Sequence, residues 1–443
     1  MLESRRTFQM NPIASNLNAV IEKQNPHVME MLSAIGRDLF FPRGILSQSA
    51  EAREKAHRMN ATIGIATQNR DIMCFDSVMN SINDIPARES LTYAPSFGIP
   101  ALREAWRRAI YQKNPSLSNR SVSLPVVSCG VTHGISTFAD LWIDPGDAVI
   151  LPDMIWGNYN MILALRKRAR LQHYPLFDAD FHYNVDGLAQ AVDRAAQTAE
   201  KVVVLLNFPH NPTGYSITGS EGERIAAMLL KTARKGTNVI VAMDDAYFGL
   251  FYTDDALKES LFAKVCCREP RLLAVKLDGA TKENFVWGLR LGFITYGVAA
   301  DDPAAVYSAL EKKTAGCIRG NISNASHLSQ SILLKSLRHP DYAREKEAHF
   351  HTLKQRAQRV KAVASDPAYA QAWEIYPFNA GYFMCIRLKT VNAERLRRHL
   401  LNQYGVGLIS IDDHHLRIAF SCLDEPEIPA LFEIVFKGVN DLT

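Results

Sequence analysis

The stretch that decides the fold covers residues 277–292 and reads LDGATKENFVWGLRLG. It places one lysine, Lys282, between two apolar runs, and an arginine, Arg290, follows eight residues later. A lysine between two core strands is costly, because a buried ammonium without a partner loses its hydration. An amine whose pKa is lowered by such burial is, however, a good nucleophile toward an aldehyde carbon. The stretch therefore predicts a site for an aldehyde, and the rigid fork of Arg290 suits a phosphate on the same molecule.

Taken alone, a lysine at the end of a strand is more often a solvated loop residue. The rest of the chain has to decide between these two interpretations of Lys282.

The overall composition narrows the classes of protein to consider. With 443 residues, 47% of them hydrophobic, the chain can bury a large core and is too long for one simple domain. Its 50 basic and 46 acidic residues give a net charge of +4, which favours neither nucleic acid nor an anionic membrane as a partner.

The seven cysteines include no CxxC pair, which suits a reducing compartment better than a disulfide framework. The first residues lead into no apolar segment typical of a signal peptide, and no apolar stretch approaches the length of a membrane span. We therefore expect a soluble cytoplasmic protein.

Six apolar runs recur between residues 124 and 296, and helical patterns or turns separate them. Because the runs are continuous rather than alternating, they predict an α/β fold with a parallel sheet covered by helices on both faces. Ligands of such sheets bind beyond the carboxyl ends of the strands, so the polar residues after each run are candidate site residues. The runs cover residues 125–128, 148–151, 202–206, 239–243, 272–277 and 293–296.

The two ends of the chain differ from this central region. Residues 16–60 are predicted to be mainly helical, with breaks at Pro26 and at the turn 41–44, and long charged helices (326–337 and 342–363) follow residue 321. Strands are predicted near 382–388 and 416–420. We predict that residues 1–75 and 321–443 form a smaller α+β domain and that residues 76–320 form a large ligand-binding domain. The basic cluster at 166–170 is expected on the solvated face of a helix.

Three of the strand ends offer groups that could hold a phosphorylated ring. Gly130 at a strand-to-helix turn exposes backbone N–H groups to an anion, and the hydroxyl of Thr132 adds a donor, although a plain tight turn explains the pattern equally well. Trp156 is either core filler or a flat face for a ring. Asn211 lies in a loop fixed by two prolines, where its amide can donate to a phenolate oxygen and the bond to Pro212 is a candidate cis peptide.

A fourth strand end carries Asp244 and, three residues later, Tyr247. A carboxylate at the end of a buried strand needs a cationic partner, and a protonated pyridine nitrogen would serve. Such a pairing makes the ring an electron sink, and the Tyr247 hydroxyl can donate to the ring oxygen. Pyridoxal 5′-phosphate carries the aldehyde, the phosphate, the ring nitrogen and the ring oxygen that these groups require. Each signal is modest alone, but their occurrence at successive strand ends is hard to explain as packing.

The motifs together resemble the fold-type I aminotransferases of class I and II, and in particular the aspartate aminotransferase subgroup. The resemblance rests on NPTG at 211–214, DDAY at 244–247, Lys282 with Arg290 eight residues later, and WGN at 156–158. It implies a large domain with a seven-stranded, mostly parallel sheet, a smaller α+β domain, and pyridoxal 5′-phosphate bound to Lys282 as a Schiff base. It further implies ping-pong transfer of an amino group between an L-amino acid and a 2-oxo acid.

The resemblance also assigns roles to single residues. Lys282 moves the proton at the substrate Cα, Asp244 pairs with the ring nitrogen, and Asn211 and Tyr247 hold the ring oxygen. The remaining assignments are Trp156 stacked on the ring, Val131, Thr132 and Arg290 on the phosphate, Tyr93 on the phosphate of the neighbouring subunit of a homodimer, Arg417 on the substrate α-carboxylate, and Gly64 in a loop that closes over the substrate.

Arg319, followed by Ser323 and Asn324, resembles the arginine that reads a second, distal carboxylate across the dimer. If this role carries over, the substrates include aspartate, glutamate or 2-oxoglutarate; the alternative is a plain surface arginine. The sequence departs from the family pattern here, because Ala325 and Ser326 stand where prolines usually follow. It departs again at Gly279, where the family often has a serine or threonine that bonds the phosphate.

Two other functions share part of this pattern. A lyase of the same fold, which eliminates at Cβ, would use the same lysine and carboxylate. A regulatory domain of the aminotransferase type would need a DNA-binding domain ahead of the fold, whereas Gly64 and Tyr93 already belong to the predicted catalytic fold. Tight binding to DNA at moderate salt would favour the regulator.

Overall fold

The structure is a computed structural model of one chain, and it describes residues 10–42 and 44–443. Residues 1–9, where the sequence predicts no signal peptide, and Arg43 of the predicted turn 41–44 lie outside the described residues. Within the described ranges, none of the helices combines the length and the apolar character that crossing a membrane requires.

A seven-stranded sheet forms the centre of the fold, as predicted. In space the strands follow the order β1-β7-β6-β5-β4-β2-β3, and all pair in parallel except β7, which is antiparallel to both of its neighbours. The α/β architecture with a mostly parallel sheet is therefore confirmed. In chain order the strands are β1 (Val126–Ser128), β2 (Ala148–Pro152), β3 (Arg170–Tyr174), β4 (Lys201–Asn207), β5 (Asn238–Asp244), β6 (Leu272–Asp278) and β7 (Gly292–Gly297).

Helices cover both faces of this sheet, which explains why its central strands are apolar at most positions. In β4, Val202 and Val204 point into one apolar cluster and Val203 and Leu205 into a second, because successive side chains of a strand alternate between its faces. The first cluster includes side chains of the helices Val185–Ala196 and Gly219–Arg234, and the second includes those of Gly130–Trp142 and Pro303–Asn321.

The other helices lie before, within and after the sheet region. Two of them match the predicted charged helices closely, since they run from His327 to Arg338 and from Tyr342 to Ala364. The α-helices not yet given are Pro12–Gln24, Pro26–Met31, Ala34–Asp38, Ile45–Lys55, Asp76–Ser81, Ala87–Ser90, Pro100–Lys113, Leu261–Val265, Ala280–Glu283, Ala393–Tyr404 and Glu427–Asn440.

A second, four-stranded sheet lies in the C-terminal part, in the order β8-β9-β11-β10, with all pairs antiparallel. Its strands are β8 (Trp373–Ile375), β9 (Phe383–Leu388), β10 (Ile409–Ser410) and β11 (His415–Ala419). The N-terminal segment joins this part of the chain, because the short strand Met59–Asn60 pairs in parallel with Val406–Gly407. The division into a smaller domain of residues 1–75 and 321–443 and a large domain of residues 76–320 stays a prediction.

Two expectations from the sequence were wrong. The basic cluster at 166–170 does not lie on one helix: a π-helical turn, Asn160–Arg166, ends at its first residue, and its last residue begins the edge strand β3. This strand went unpredicted because it is largely solvent-exposed and polar, so it lacks a continuous apolar run. In the loop after β4 the cis peptide bond joins Phe208 to Pro209, and the Asn211–Pro212 bond is not among the cis bonds.

Beneath the strand ends, the sheet buries a cluster of charged side chains. The Lys276 side chain is 1% exposed, and its ammonium lies against the carboxylate of Asp245 and 3.3 Å from that of Asp278. Ser260 Oγ donates to Asp245 and Trp106 Nε1 donates to Asp278. These ion pairs and hydrogen bonds offset the free-energy cost of burying the three charged side chains.

Lys276→Met is expected to lower the free energy of unfolding by about 3–5 kcal/mol, because it leaves two buried carboxylates without a cation. Urea unfolding followed by circular dichroism measures the difference. The exposed Lys235 provides a matched control, and Lys235→Met should change the stability by no more than about 0.5 kcal/mol. A loss below about 1 kcal/mol in Lys276→Met would show that the cluster does not hold paired charges.

Candidate active site

A cavity of about 330 Å³ opens beyond the carboxyl ends of β4, β5 and β6. All predicted site residues except Tyr93 and Arg319 line it: Gly64, Val131, Thr132, Trp156, Asn211, Asp244, Tyr247, Lys282, Arg290 and Arg417. The structure thus brings together residues that are up to about 350 positions apart in the chain.

Lys282 lies on the four-residue helix Ala280–Glu283, immediately after β6. Its Nζ donates a hydrogen bond to the carbonyl oxygen of Gly64 over 2.5 Å. Burial of the amine is the main cause that lowers its pKa to about 7, and the positive charges of Arg290 and Arg417 lower it further. A substantial fraction of this amine is therefore unprotonated at neutral pH, which is the state that attacks a carbonyl carbon.

Gly64 is packed so closely that a side chain would disturb the site. A Cβ added there would lie 3.1 Å from Lys282 Nζ and 3.2 Å from the hydroxyl oxygen of Tyr247. The absence of a side chain lets the carbonyl of Gly64 reach the amine. The loop that contains it is held from the other side by Cys422, whose Sγ contacts the carbonyl oxygens of Ile63 and Ile65 at 3.2 and 3.4 Å.

Asp244 ends β5 and is buried. One carboxylate oxygen accepts a hydrogen bond from the Tyr159 hydroxyl over 2.5 Å, and the other accepts from the Ala246 N–H over 3.1 Å. Burial raises the pKa of Asp244 to about 6, and the hydrogen bond from Tyr159 opposes that rise. The carboxylate is mostly ionised at neutral pH and can bind a cationic ring nitrogen.

Tyr159 is a site residue that sequence reasoning missed. It lies three residues after Trp156, so one helical turn places both side chains on the same side, and their rings meet edge to face at 5.5 Å. That spacing was the available signal. Asn207, the last residue of β4, was missed as well: its Nδ2 donates to the Asp244 carbonyl and its Oδ1 accepts from the Asn211 N–H, both over 2.8 Å.

The opposite end of the cavity is positively charged. Gly130 has a φ of +76°, and a Cβ there would lie 2.5 Å from a terminal nitrogen of the Arg290 guanidinium. The guanidinium therefore packs directly against the first turn of the helix Gly130–Trp142, whose N-terminus carries partial positive charge. Val131 and Thr132 belong to the same turn. An anion at this place would neutralise an arrangement that is otherwise repulsive.

Arg417 reaches the cavity from β11. Its guanidinium donates to Asn211 Oδ1 over 3.1 Å and to the carbonyl of Thr62 over 2.8 Å, and it lies 4.1 Å above the ring centre of Phe383. Arg417 Nε is buried and has no hydrogen-bond partner among the described residues. The guanidinium is thus fixed in orientation and keeps a donor free for a carboxylate.

The amide of Asn211 and the hydroxyl of Tyr247 can both donate hydrogen bonds to a ligand in the cavity. Because Asn211 Oδ1 accepts from Arg417, its Nδ2 can donate to a ring oxygen. Burial raises the pKa of Tyr247 far above neutral pH, so its phenol keeps the proton that it would donate. Ile45 and Phe383 also line the cavity, and nothing in their sequence surroundings indicated it.

Tyr93 and Arg319 are exposed and do not line the cavity. Tyr93 is 89% exposed. Ser96 Oγ donates to the carbonyl of Ser323 over 2.8 Å, and Arg319 donates to Ser323 Oγ over 2.6 Å. Within one chain, Ser323 therefore joins the segment of Tyr93 to that of Arg319. The binding of Tyr93 and Arg319 to the site of a neighbouring subunit stays a prediction.

With this geometry in place, the chain can be compared with known proteins. Residues 58–435 match the model of the family described as "Aminotransferase class I and II". The chain belongs to that family, which confirms the resemblance found in its motifs.

Individual relatives share only low sequence identity with this chain. The chain is 23% identical to an aspartate aminotransferase of Bacillus sp. (strain YM-2) over 252 residues, which are 57% of this chain and 60% of that protein. It is 27% identical to a probable N-acetyl-LL-diaminopimelate aminotransferase of Bacillus subtilis (strain 168) over 247 residues, 56% of this chain and 55% of that one. These alignments thus span less than two thirds of either relative.

Solved structures match over nearly the whole chain. An aminotransferase from Anaerococcus prevotii has a TM-score of 0.81 at 23% identity and covers 93% of this chain and 99% of its own. The cytoplasmic aspartate aminotransferase of Saccharomyces cerevisiae has a TM-score of 0.74 at 18% identity and covers 91% and 98%. At these identities the likeness shows a common fold.

The lowered pKa of Lys282 predicts a pH-dependent stability of the cofactor-free protein. Between about pH 7 and pH 10.5 the unfolded chain holds a proton on this amine that the folded protein has lost. This group therefore makes the free energy of unfolding increase with pH, by about 1.4 kcal/mol per pH unit. Lys282→Met removes that contribution, so the stability of the wild type relative to the variant should rise across this range in urea unfolding. Lys235→Met should follow the wild type, and parallel curves for wild type and Lys282→Met would contradict a lowered pKa.

Proposed function

We propose that the protein is a pyridoxal 5′-phosphate-dependent aminotransferase that moves an amino group between an L-amino acid and a 2-oxo acid by ping-pong half-reactions. The observation that carries the proposal is the content of one cavity: a lysine amine with a pKa of about 7, a buried carboxylate, and two arginines at separate positions. Family membership supports transamination in general.

The residues present fit this cofactor. Asp244 would bind the ring nitrogen, Asn211 and Tyr247 the ring oxygen, and Trp156 would lie against the ring. Arg290 with Val131 and Thr132 would hold the phosphate, and the Lys282 amine would bond the aldehyde carbon. Arg417 Nε and Thr281 Oγ1 are buried and have no partner among the described residues, so a bound anion would supply acceptors for both donors. When bound, the cofactor supplies an electrophilic aldehyde carbon and an electron-withdrawing ring.

The protein's own groups would perform the remaining work. The Lys282 amine is partly unprotonated at neutral pH, so it can remove the proton from the substrate Cα in one half-reaction. In the other half-reaction it returns a proton to the Cα of the product. Arg417, held by Asn211 and Thr62, orients the substrate through its carboxylate. The Gly64 loop covers the amine and limits access of water to the reacting atoms.

We also propose a homodimer with shared sites. Tyr93 and Arg319, the two residues that the family resemblance assigns to the neighbouring subunit's site, are both exposed, and Ser323 joins their segments by bonding Ser96 and Arg319. Large apolar side chains in the same two segments are exposed as well, with Leu91 at 85% and Ile322 at 38%. Such a patch is typical of a subunit interface. All seven cysteines are free thiols, which supports a reducing cytoplasmic location.

Reduction with borohydride tests the cofactor part of the proposal. After incubation with pyridoxal 5′-phosphate, reduction and digestion, the peptide that contains Lys282 should carry a phosphopyridoxyl mass. Lys282→Ala should carry none there, whereas the exposed-site variant Lys235→Met should keep the full label. A label on another lysine, or no label at all, would overturn the assignment.

The same preparation separates amino transfer from elimination. With an amino acid and no oxo acid, transfer yields one equivalent of pyridoxamine 5′-phosphate per site and then stops. Continuous release of pyruvate and ammonia would instead identify a β-eliminating lyase of the same fold.

Arg319 is proposed to bind the distal carboxylate of aspartate or glutamate across the dimer. Arg319→Ala should then lower kcat/KM for acidic donors with 2-oxoglutarate by roughly ten- to a hundredfold, because a charge-assisted hydrogen bond is worth about 1.5–3 kcal/mol, and it should spare neutral donors. The exposed Arg338 provides the control, and Arg338→Ala should leave the whole donor panel unchanged. An equal loss for all donors would remove this role from Arg319.

A further inference from the structure

The Thr281 hydroxyl is a buried polar group of a residue that lines the cavity. The residue is 6% exposed and lines the cavity next to Lys282, and its Oγ1 is buried without a hydrogen-bond partner among the described residues. Buried hydroxyls are nearly always paired, because an unpaired one has lost its bonds to water without replacement. An unpaired hydroxyl in a cavity wall therefore indicates a ligand atom.

The turn that carries Thr281 lies at the positively charged end of the cavity. A Cβ added at Gly279 would be 2.6 Å from the carbonyl oxygen of Leu291, the residue after Arg290, and 3.0 Å from a methyl carbon of Val131. The turn is thus packed between the first turn of the helix Gly130–Trp142 and the segment that follows Arg290. The helix turn carries Val131 and Thr132, and Arg290 directly precedes that segment, so the turn adjoins all three residues proposed to hold the phosphate.

The same contacts explain why position 279 is glycine. Its φ is −175°, an extended conformation open to any residue, so backbone strain is not the reason. The reason is the carbonyl of Leu291, because a Cβ at 2.6 Å from a backbone oxygen would force the chain to shift. A serine or threonine at position 279 is therefore sterically excluded, and no side chain from that position can bond the phosphate.

We infer that the Thr281 hydroxyl donates a hydrogen bond to the phosphate of the cofactor and takes the place of the donor that position 279 cannot provide. The inference rests on the proposed function. It makes Thr281 a cofactor-binding residue whose ligand is a phosphate monoester dianion. Because Thr281 and Lys282 are neighbours on the helix Ala280–Glu283, one short element would fix both the phosphate and the amine that meets the aldehyde.

The test compares Thr281→Val, which has nearly the same shape and no hydroxyl, with Thr281→Ser, which keeps the hydroxyl. Each purified protein is stripped of cofactor and titrated with pyridoxal 5′-phosphate and, separately, with pyridoxal, which lacks the phosphate; absorbance reports binding. Thr281→Val should raise the dissociation constant of pyridoxal 5′-phosphate by roughly ten- to a hundredfold and leave that of pyridoxal unchanged. Thr281→Ser should stay close to the wild type for both.

The phosphorus-31 chemical shift of the bound cofactor gives a second readout that does not depend on turnover. It should move in Thr281→Val and return in Thr281→Ser. Thr281→Ala serves in place of the valine variant if that variant does not fold. An unchanged affinity and chemical shift, or an equal weakening for pyridoxal and its phosphate, would overturn the inference.

Borohydride labelling of the same proteins keeps the two proposals apart. Suppose that the wild type carries a phosphopyridoxyl label at Lys282 and that Thr281→Val has an unchanged affinity and chemical shift. That result removes the role of Thr281 and leaves the proposed function standing. A wild type that takes no label at Lys282 overturns both.

Discussion

The hydrogen bond between the Lys282 amine and the carbonyl of Gly64 is the contact on which the site depends. It forms between a strand end of the large sheet and a loop of the N-terminal segment, 218 residues away in the chain. The neutral amine gains a partner there without gaining a counter-charge, so burial can lower its pKa to about 7. A carboxylate in place of that carbonyl would hold the amine protonated, and a protonated amine is not a nucleophile.

Charge balance explains the other features of the cavity. Among the described residues that line it, Lys282, Arg290 and Arg417 are basic and Asp244 is the acidic one. The two arginines lie at different places, one against a helix N-terminus and one on β11, so the cavity suits two separate anions and a cation near Asp244. A cofactor with a phosphate and a ring nitrogen, together with an amino acid carboxylate, has this distribution of charge.

The sequence was sufficient for the large sheet and for most of the site, because both leave strong local signals. Buried parallel strands such as β4 and β5 are continuous apolar runs, and side chains at their carboxyl ends must converge at one edge. The same reasoning failed for β3, an exposed edge strand with a polar sequence. It also failed for Tyr159, because its hydrogen bond to Asp244 depends on where that carboxylate is buried. Ile45 and Phe383 were missed because distant parts of the chain must pack together before these side chains line the cavity.

The pairing of the two chain ends has a consequence for biosynthesis. Met59 pairs with Val406, the Ala419 N–H bonds the Ala61 carbonyl, and Arg417 bonds Thr62, so the N-terminal loop is anchored by residues that are translated after the whole of the large sheet. The large sheet, which ends at Gly297, can form while the rest of the chain is still being translated. A nascent chain in which this sheet has formed therefore still lacks the wall that carries Arg417, and the cavity cannot be completed until that residue has been translated.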